Sequence, residues 1–303
     1  MILKKGHASK YLKDFHDGKI KLGLETGATE LDNHLRFKRK QFNCIMGGDN
    51  MGKTYFIEWY FLILSARHGL KWCLWTDENS SGQVMRDLIQ MYAGKPFKDL
   101  SKYEIDEHEQ TLEEWFTFID NSQPYTPDAL LKLFESVDAD GYLIDPFNQL
   151  EHDMTYKSNI ELIRKLKRWC KTKVKTIYLT MHPITASGRQ GAVYPESHEW
   201  KGHPRVPGKA DAEGGKIFAN MCDDFIVIHR LTKHESMKFY TMVNVDKVKD
   251  RDTGGQQTGL NMEVLLNYNS GLGFQCQNID PMIREHLGSS KINANFGFDD
   301  EPF

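Results

Sequence analysis

The stretch "IMGGDNMGKTYF" (residues 45–56) holds Gly47-x4-Gly52-Lys53-Thr54 between a short apolar run and a second, longer one. Glycines let consecutive backbone N–H groups wrap phosphate oxygens, a lysine neutralises the β- and γ-phosphates, and a hydroxyl can ligate Mg²⁺. The pattern predicts that Gly47, Gly48, Asp49, Asn50, Met51, Gly52, Lys53, Thr54 and Tyr55 bind ATP or another nucleoside triphosphate with Mg²⁺. Asp145 closes the apolar run Tyr142, Leu143, Ile144 and suits the second carboxylate on the Mg²⁺ side, so Thr54 and Asp145 are the expected metal residues. Glu78 lies just past "KWCLWT", where a carboxylate can orient or deprotonate the attacking water. Asp77 competes for that role; strand alternation puts the two on opposite faces, and Glu78 is preferred. His182 follows "IYLTM" and can hydrogen-bond the γ-phosphate and report hydrolysis to the loop beyond. Lys249 and Arg251, in "VDKVKDRDTGG", are expected on one face at a strand end. From there they could reach a phosphate on a neighbouring subunit and stabilise transition-state charge.

These residues need a frame to hold them. "KQFNCIM", "KWCLWT", "GYLID" and "KTIYLTM" read as buried strands, with a further strand in "TLEEWFTFIDNS". Phe56, Trp59, Tyr60, Ile63 and Leu64 recur at helical spacing until Gly69, and "SSGQVMRDLIQMYAG" and "NIELIRKLKRWCKTK" also read as helices. "TPDALLKLFESV" is a helix with Thr126 at its N-cap and Pro127 at its first position. Alternating strands and helices predict an α/β fold: a mostly parallel sheet with helices on both faces. "DFIVIHR", "KFYTMVNVDKV" and "NMEVLLNYN" predict an antiparallel extension at the C-terminal side. Between the two parts, residues 182–216 form a long segment rich in Gly, Pro, Ser and charge. A loop of that length is usually functional or disordered. It carries Arg189, Lys201, Arg205, Lys209 and Lys216, suited to a phosphate backbone. His198 and His203 read as surface histidines, since no third metal ligand has the right spacing.

Composition narrows the function classes. The 303 residues carry a formal net charge of −3, so contact with nucleic acid must come from a local patch or be shared around a ring of subunits. The five cysteines are scattered with no Cys-x-x-Cys, which argues for buried thiols in a reducing cytosol. "FIEWYFLILSA" is short and carries Glu58, so it reads as a buried helix and no membrane role is expected. Three units are expected: an arm at residues 1–22, a core at 23–280 and an acidic, disordered tail at 281–303.

The ordered set of motifs resembles the RecA-like motor domain of ring-shaped replicative helicases: bacterial DnaB, mitochondrial Twinkle and the helicase half of phage primase–helicases. The resemblance runs from about Gly23 to Phe274. Its parts are "TGATELDNHL", "GGDNMGKT", "WTDENSSGQVMRDLIQMYAGKPF", "YLIDPFNQLEH", "LTMHP", "EGGKIFANMCDDFIVIHR" and "KVKDRDTGG". It implies a hexameric ATPase that moves along single-stranded DNA during replication, in a host cytoplasm if the gene is viral. It implies Lys53 and Thr54 as the phosphate-loop pair, Glu78 as catalytic glutamate, Asp145 as Mg²⁺ aspartate and His182 as γ-phosphate sensor. Lys249 and Arg251 match the lysine and arginine supplied in trans. Lys209, Gly215, Lys216 and Asn220 fall in the central-channel loop that holds DNA.

Residues 1–22 are too short for a primase, TOPRIM, zinc-binding or collar domain, so neither priming nor collar-dependent loading is expected of these residues. The arm matches a linker helix that docks on the next subunit, through Leu3, Tyr11, Leu12 and Phe15. The tail "NFGFDDEPF" resembles the acidic tips of single-stranded-DNA-binding proteins and suits recruitment of replication proteins such as polymerase or primase. A recombinase or recombination mediator on the same core, and a nucleotide-dependent scaffold, are the alternative readings.

Overall fold

In the computed structural model, which describes residues 2, 5, 6, 8–185, 189, 191–259 and 262–282, Phe42–Met46 (β1) is buried at all five positions. Trp72–Thr76 (β2), Gly141–Asp145 (β4), Thr176–Met181 (β5) and Phe225–His229 (β6) are likewise buried along their whole length. Strands buried on both faces are the mark of a parallel sheet covered by helices. With Phe116–Phe118 (β3) at one edge, these strands run parallel in the order β3-β2-β4-β5-β1-β6. Tyr240–Lys247 (β7), Val264–Tyr268 (β8) and Phe274–Cys276 (β9) continue the sheet antiparallel. The expected α/β architecture is therefore the observed one.

The helices are Ser9–His16 (α1), Thr29–Asp32 (α2), Lys53–His68 (α3), Ser81–Ala93 (α4), Lys102–Glu113 (α5), Pro127–Glu135 (α6), Tyr156–Lys173 (α7), Ile217–Met221 (α8) and Arg251–Gly254 (α9). One core packs α3 and α4 against Ile45, Leu74, Tyr178 and Ile226; the other packs α6, α7 and α8 against Phe42, Cys44, Trp75 and Leu179. Helix α3 is apolar almost all round and is the central helix of the first core. Phe61 stacks on Trp72 with ring centroids 3.6 Å apart. The Trp72 indole N–H donates to Ser65 Oγ at 2.9 Å, so the only polar atom of that ring is satisfied. All five cysteines are buried and free. Among the described residues no helix is long and apolar enough to cross a membrane.

Two elements differ from the reading above. Helix α5 was not foreseen: its sequence is mostly charged and it buries only His108 and Leu112. Its one local signal is the capping box of Ser101 and Glu104. Strand β9 is three residues long, and its Phe274 packs edge-on against Trp59.

At the N-terminal side, the Gly23 N–H donates to Thr253 O at 2.7 Å. Helix α1, ahead of it, buries no residue; Tyr11, Leu12 and Phe15 are exposed. Leu3 and residues 283–303, with the expected tail motif, lie outside the described residues. Of the stretch read as tail, Pro281 and Met282 are described: Met282 is buried and Pro281 O accepts from Arg67.

Candidate functional site

Parallel strands bring their carboxyl ends to one edge, so residues that close β1, β2, β4 and β5 must meet there. The loop from Gly47 to Gly52 leaves β1 at that edge and enters α3. At Gly47 an added Cβ would lie 2.6 Å from Ile228 O and 2.8 Å from Lys53 Cγ, so only glycine fits beside β6. Gly52 has φ +84° and Asn50 has φ +57°, which turn the chain into the helix.

Lys53 is almost buried. Its Nζ donates to Gly47 O at 2.9 Å and Gly48 O at 3.2 Å, and lies 3.4 Å from His182 Nδ1. Burial pulls its ammonium below the usual lysine range, opposed by the charges of Asp145, Glu78 and Asp49. Thr54 Oγ1 donates to Asp145 Oδ2 at 2.8 Å. Asp145 Oδ1 accepts a short bond from the Thr180 hydroxyl. Asp145 is wholly buried, and burial pushes its carboxyl up against the pull of those two hydroxyls.

The pair passes a geometric test for Mg²⁺. Two cis oxygens of an octahedral Mg²⁺, each about 2.1 Å from the ion, stand about 3 Å apart. The hydroxyl and carboxylate of Thr54 and Asp145 are hard oxygen donors at that spacing.

His182 closes the constellation. Its Nε2 is 3.3 Å from Glu78 Oε1 and its Nδ1 is 2.9 Å from Asp49 Oδ1. Asp49, in the variable middle of the loop, thus has a partner that spacing did not indicate. Glu78 is half-exposed, whereas the Asp77 backbone N–H is tied to Asp145 O at 2.8 Å. Lys53, Thr54, Glu78, Asp145 and His182 therefore form one connected cluster.

The two ends of the long segment pair directly behind His182. Glu213 N–H donates to His182 O at 3.0 Å, Ile184 N–H to Asp211 O at 2.7 Å, and Pro183 bridges Ala212. Asn159 of α7 donates to Gly214 O at 3.1 Å. Lys209, Lys216 and Asn220 are exposed nearby along the chain, and Gly215 has φ +101°.

Tyr55 points away from the loop: its hydroxyl accepts from Gly273 N–H at 2.8 Å and its ring packs on Tyr268 and Phe274. Only its backbone N–H is left for a phosphate. Lys249 and Arg251 are not on a strand. Strand β7 ends at Lys247, and the Asp250 carboxylate caps the turn that opens α9 at Arg251. Lys249 Nζ pairs with Asp223 Oδ1 at 2.9 Å, an oxygen shared with Lys167 Nζ at 2.9 Å. Asp223 Oδ2 accepts from the Phe42 N–H, at the start of β1. Lys249 thus sits at the opposite end of β1 from the phosphate loop of its own chain, about 13 Å of strand away. Asp223, Thr180 and Asn159 escaped sequence reading because Lys249, Asp145 and Gly214, the partners that tie them to the site, lie 26, 35 and 55 residues away.

His198 stacks on Tyr194 with centroids 4.2 Å apart, and His203 lies 4.9 Å from His234. His229, at the end of β6, donates from Nε2 to Pro204 O at 3.0 Å. Burial holds its imidazole down to about 4, below the ~6.5 of an unfolded chain. Between those limits the unfolded chain binds the extra proton. The contribution to stability is full above about pH 6.5 and falls as pH drops toward 4, by at most ~3 kcal/mol. Urea midpoints for His229→Gln, which keeps a donor toward Pro204, should lose that part of the pH dependence. An unaltered slope between pH 7 and 5 would contradict this.

No family model matches the chain. The Twinkle homolog protein, chloroplastic/mitochondrial, of Arabidopsis thaliana is 24% identical over 253 residues, 77% of this chain and 34% of that protein. The chain thus spans about a third of the length of this curated relative. A solved ATPase domain superposes with a TM-score of 0.68 at 16% identity, over 91% of this chain and 100% of that domain. A DnaB-like replicative helicase, described with its interactions with primase, superposes with a TM-score of 0.68 at 15% identity, over 90% of this chain and 67% of the other.

Proposed function

We propose that this chain, which has the fold of DnaB-type helicase ATPase domains and resembles Twinkle in sequence, is a ring-forming motor that uses ATP to move along single-stranded DNA and part duplexes. The observation that carries the reading is the connection at His182. Its ring touches Glu78 and lies beside Lys53, while its carbonyl holds Glu213 of the segment expected to bind DNA. A change at the γ-phosphate would move that segment through one residue.

In this reading the loop N–H groups and Lys53 bind the β- and γ-phosphates, Lys53 leaving the Gly47 and Gly48 carbonyls to do so. Thr54 and Asp145 hold Mg²⁺, which would offset charge on the phosphate oxygens. Glu78 accepts the proton of the attacking water, and His182 senses the γ-phosphate. Lys249 and Arg251 lie too far along the sheet to serve their own loop, so they act on a neighbour's nucleotide, and the subunits form a ring, most simply a hexamer. Lys209, Gly215, Lys216 and Asn220 face the strand in the central channel. The exposed face of α1 packs on the next subunit, and the acidic tail binds replication proteins.

The test is ATPase activity with and without single-stranded DNA, beside negative-stain images with an ATP analogue. Stimulation by DNA, its reduction in Lys216→Ala, and closed rings are expected. DNA-coated filaments in place of rings would favour the recombinase alternative.

A further inference from the structure

One carboxylate oxygen just ahead of β6 serves two lysines. Asp223 Oδ1 takes Lys167 Nζ and Lys249 Nζ, each at 2.9 Å. The Asp223 side chain is 3% exposed, and its other oxygen accepts the Phe42 N–H at 3.0 Å. Burial pushes its carboxyl up, but Lys167 foremost, then the Phe42 N–H and Lys249, hold it below the usual carboxylate range. A buried carboxylate needs a cation, and one suffices. The second ammonium is attracted to the carboxylate and repelled by the first.

The two lysines are not equivalent. Lys167 stands on α7, its side chain is 19% exposed, and its ammonium also donates to Met221 O. The Lys249 side chain is 53% exposed, and among the described residues its ammonium has no partner besides Asp223. The backbone of Lys249 is fixed separately. Its N–H donates to Asp224 Oδ1 at 3.3 Å, and the Asp250 carboxylate caps α9 directly after it. The side chain is therefore free to swing while the chain that carries it stays in place. A lysine held by a carboxylate cannot at the same time meet a phosphate on another subunit, so a role in trans requires a release. With Lys167 present, the departure of Lys249 leaves Asp223 its cation and the Phe42 N–H. Without Lys167, the same departure strands a buried charge, and that cost keeps Lys249 where it is.

We propose that Lys167 is a positioning residue that permits this release: it keeps Asp223 paired while Lys249 swings to the phosphate of the neighbouring subunit's nucleotide. The inference rests on the reading of Lys249 as a cation supplied in trans. Lys167 itself touches no nucleotide and acts only through the grip of Asp223 on Lys249.

The experiment is ATP turnover at saturating ATP and single-stranded DNA for four variants. Lys249→Ala should lower kcat by about tenfold or more. Lys167→Met, which keeps the side chain's length without its charge, should also lower kcat by about tenfold or more, because Lys249 is then the only cation left to Asp223. Adding Asp223→Asn to Lys167→Met should bring kcat back to within about threefold of wild type, since asparagine keeps an acceptor for the Phe42 N–H and has no charge to grip Lys249. Lys167→Met combined with Lys249→Ala should be no slower than Lys249→Ala alone. Recovery is the readout that separates release from a structural role: a fold weakened by the loss of Lys167 gains nothing from a second substitution beside it. Wild-type kcat in Lys167→Met, or a loss that Asp223→Asn does not reverse, overturns the release while a slow Lys249→Ala upholds the trans reading. Wild-type kcat in Lys249→Ala contradicts the trans reading and this inference with it.

Discussion

Glu78→Gln should keep nucleotide binding and lower ATP turnover by roughly 10²–10⁴-fold. Glutamine has the shape of glutamate and can still meet His182 Nε2, which lies 3.3 Å from Glu78 Oε1. What it cannot do is accept a proton from water. Glu78 is half-exposed, so the change costs the fold little. Turnover and affinity should therefore separate: kcat falls and the nucleotide Kd barely moves. If kcat stays near the wild-type value, Glu78 is not the base, and Asp77 becomes the residue to test.

The second large effect is on stability. Lys38 and Asp224 form a pair at 3.0 Å with side-chain exposures of 9% and 1%. Burial pushes the Asp224 carboxyl up, and Lys38 is the main influence holding it down. Lys38→Ala leaves a buried carboxylate without its cation, which should destabilise the protein by about 3–5 kcal/mol. Replacing both, as Lys38→Met with Asp224→Leu, should recover most of that loss, because neither charge then needs a partner.

The sign of the pH effect follows. Without Lys38 the folded Asp224 value rises further, so stability is lost as pH rises through it. The penalty of Lys38→Ala should therefore shrink as pH falls toward the unfolded value near 4. Denaturation curves at two pH values check both statements; a constant penalty, or one that grows in acid, would contradict them.

Much of this site was legible because its logic is local. Gly47-x4-Gly52-Lys53-Thr54 states its own geometry, Asp145 and His182 each close an apolar run, and Glu78 lies just past one. In a parallel sheet those ends share an edge, so strand termini alone forecast the cluster. Other features depend on contacts distant in sequence. Tyr55 follows Thr54 directly, yet the turn of the helix carries it toward Phe274, a residue of a strand too short to foresee. Strand alternation extends through Lys249 and Arg251, whereas β7 ends at Lys247 and Asp250 then caps a helical turn at Arg251. The hold of Asp223 on Lys249 and Lys167 joins three elements and has no sequence spacing to read. Helix α5 buries only His108 and Leu112 among charges, too few to mark an apolar stripe.

The most direct measurement is strand separation on a forked DNA duplex by the purified chain. Unwinding should require hydrolysable ATP and a free single-stranded arm, and should vanish in Lys53→Ala. Hydrolysis that DNA stimulates, without any strand separation by assembled rings on forks of either polarity, would contradict the motor account.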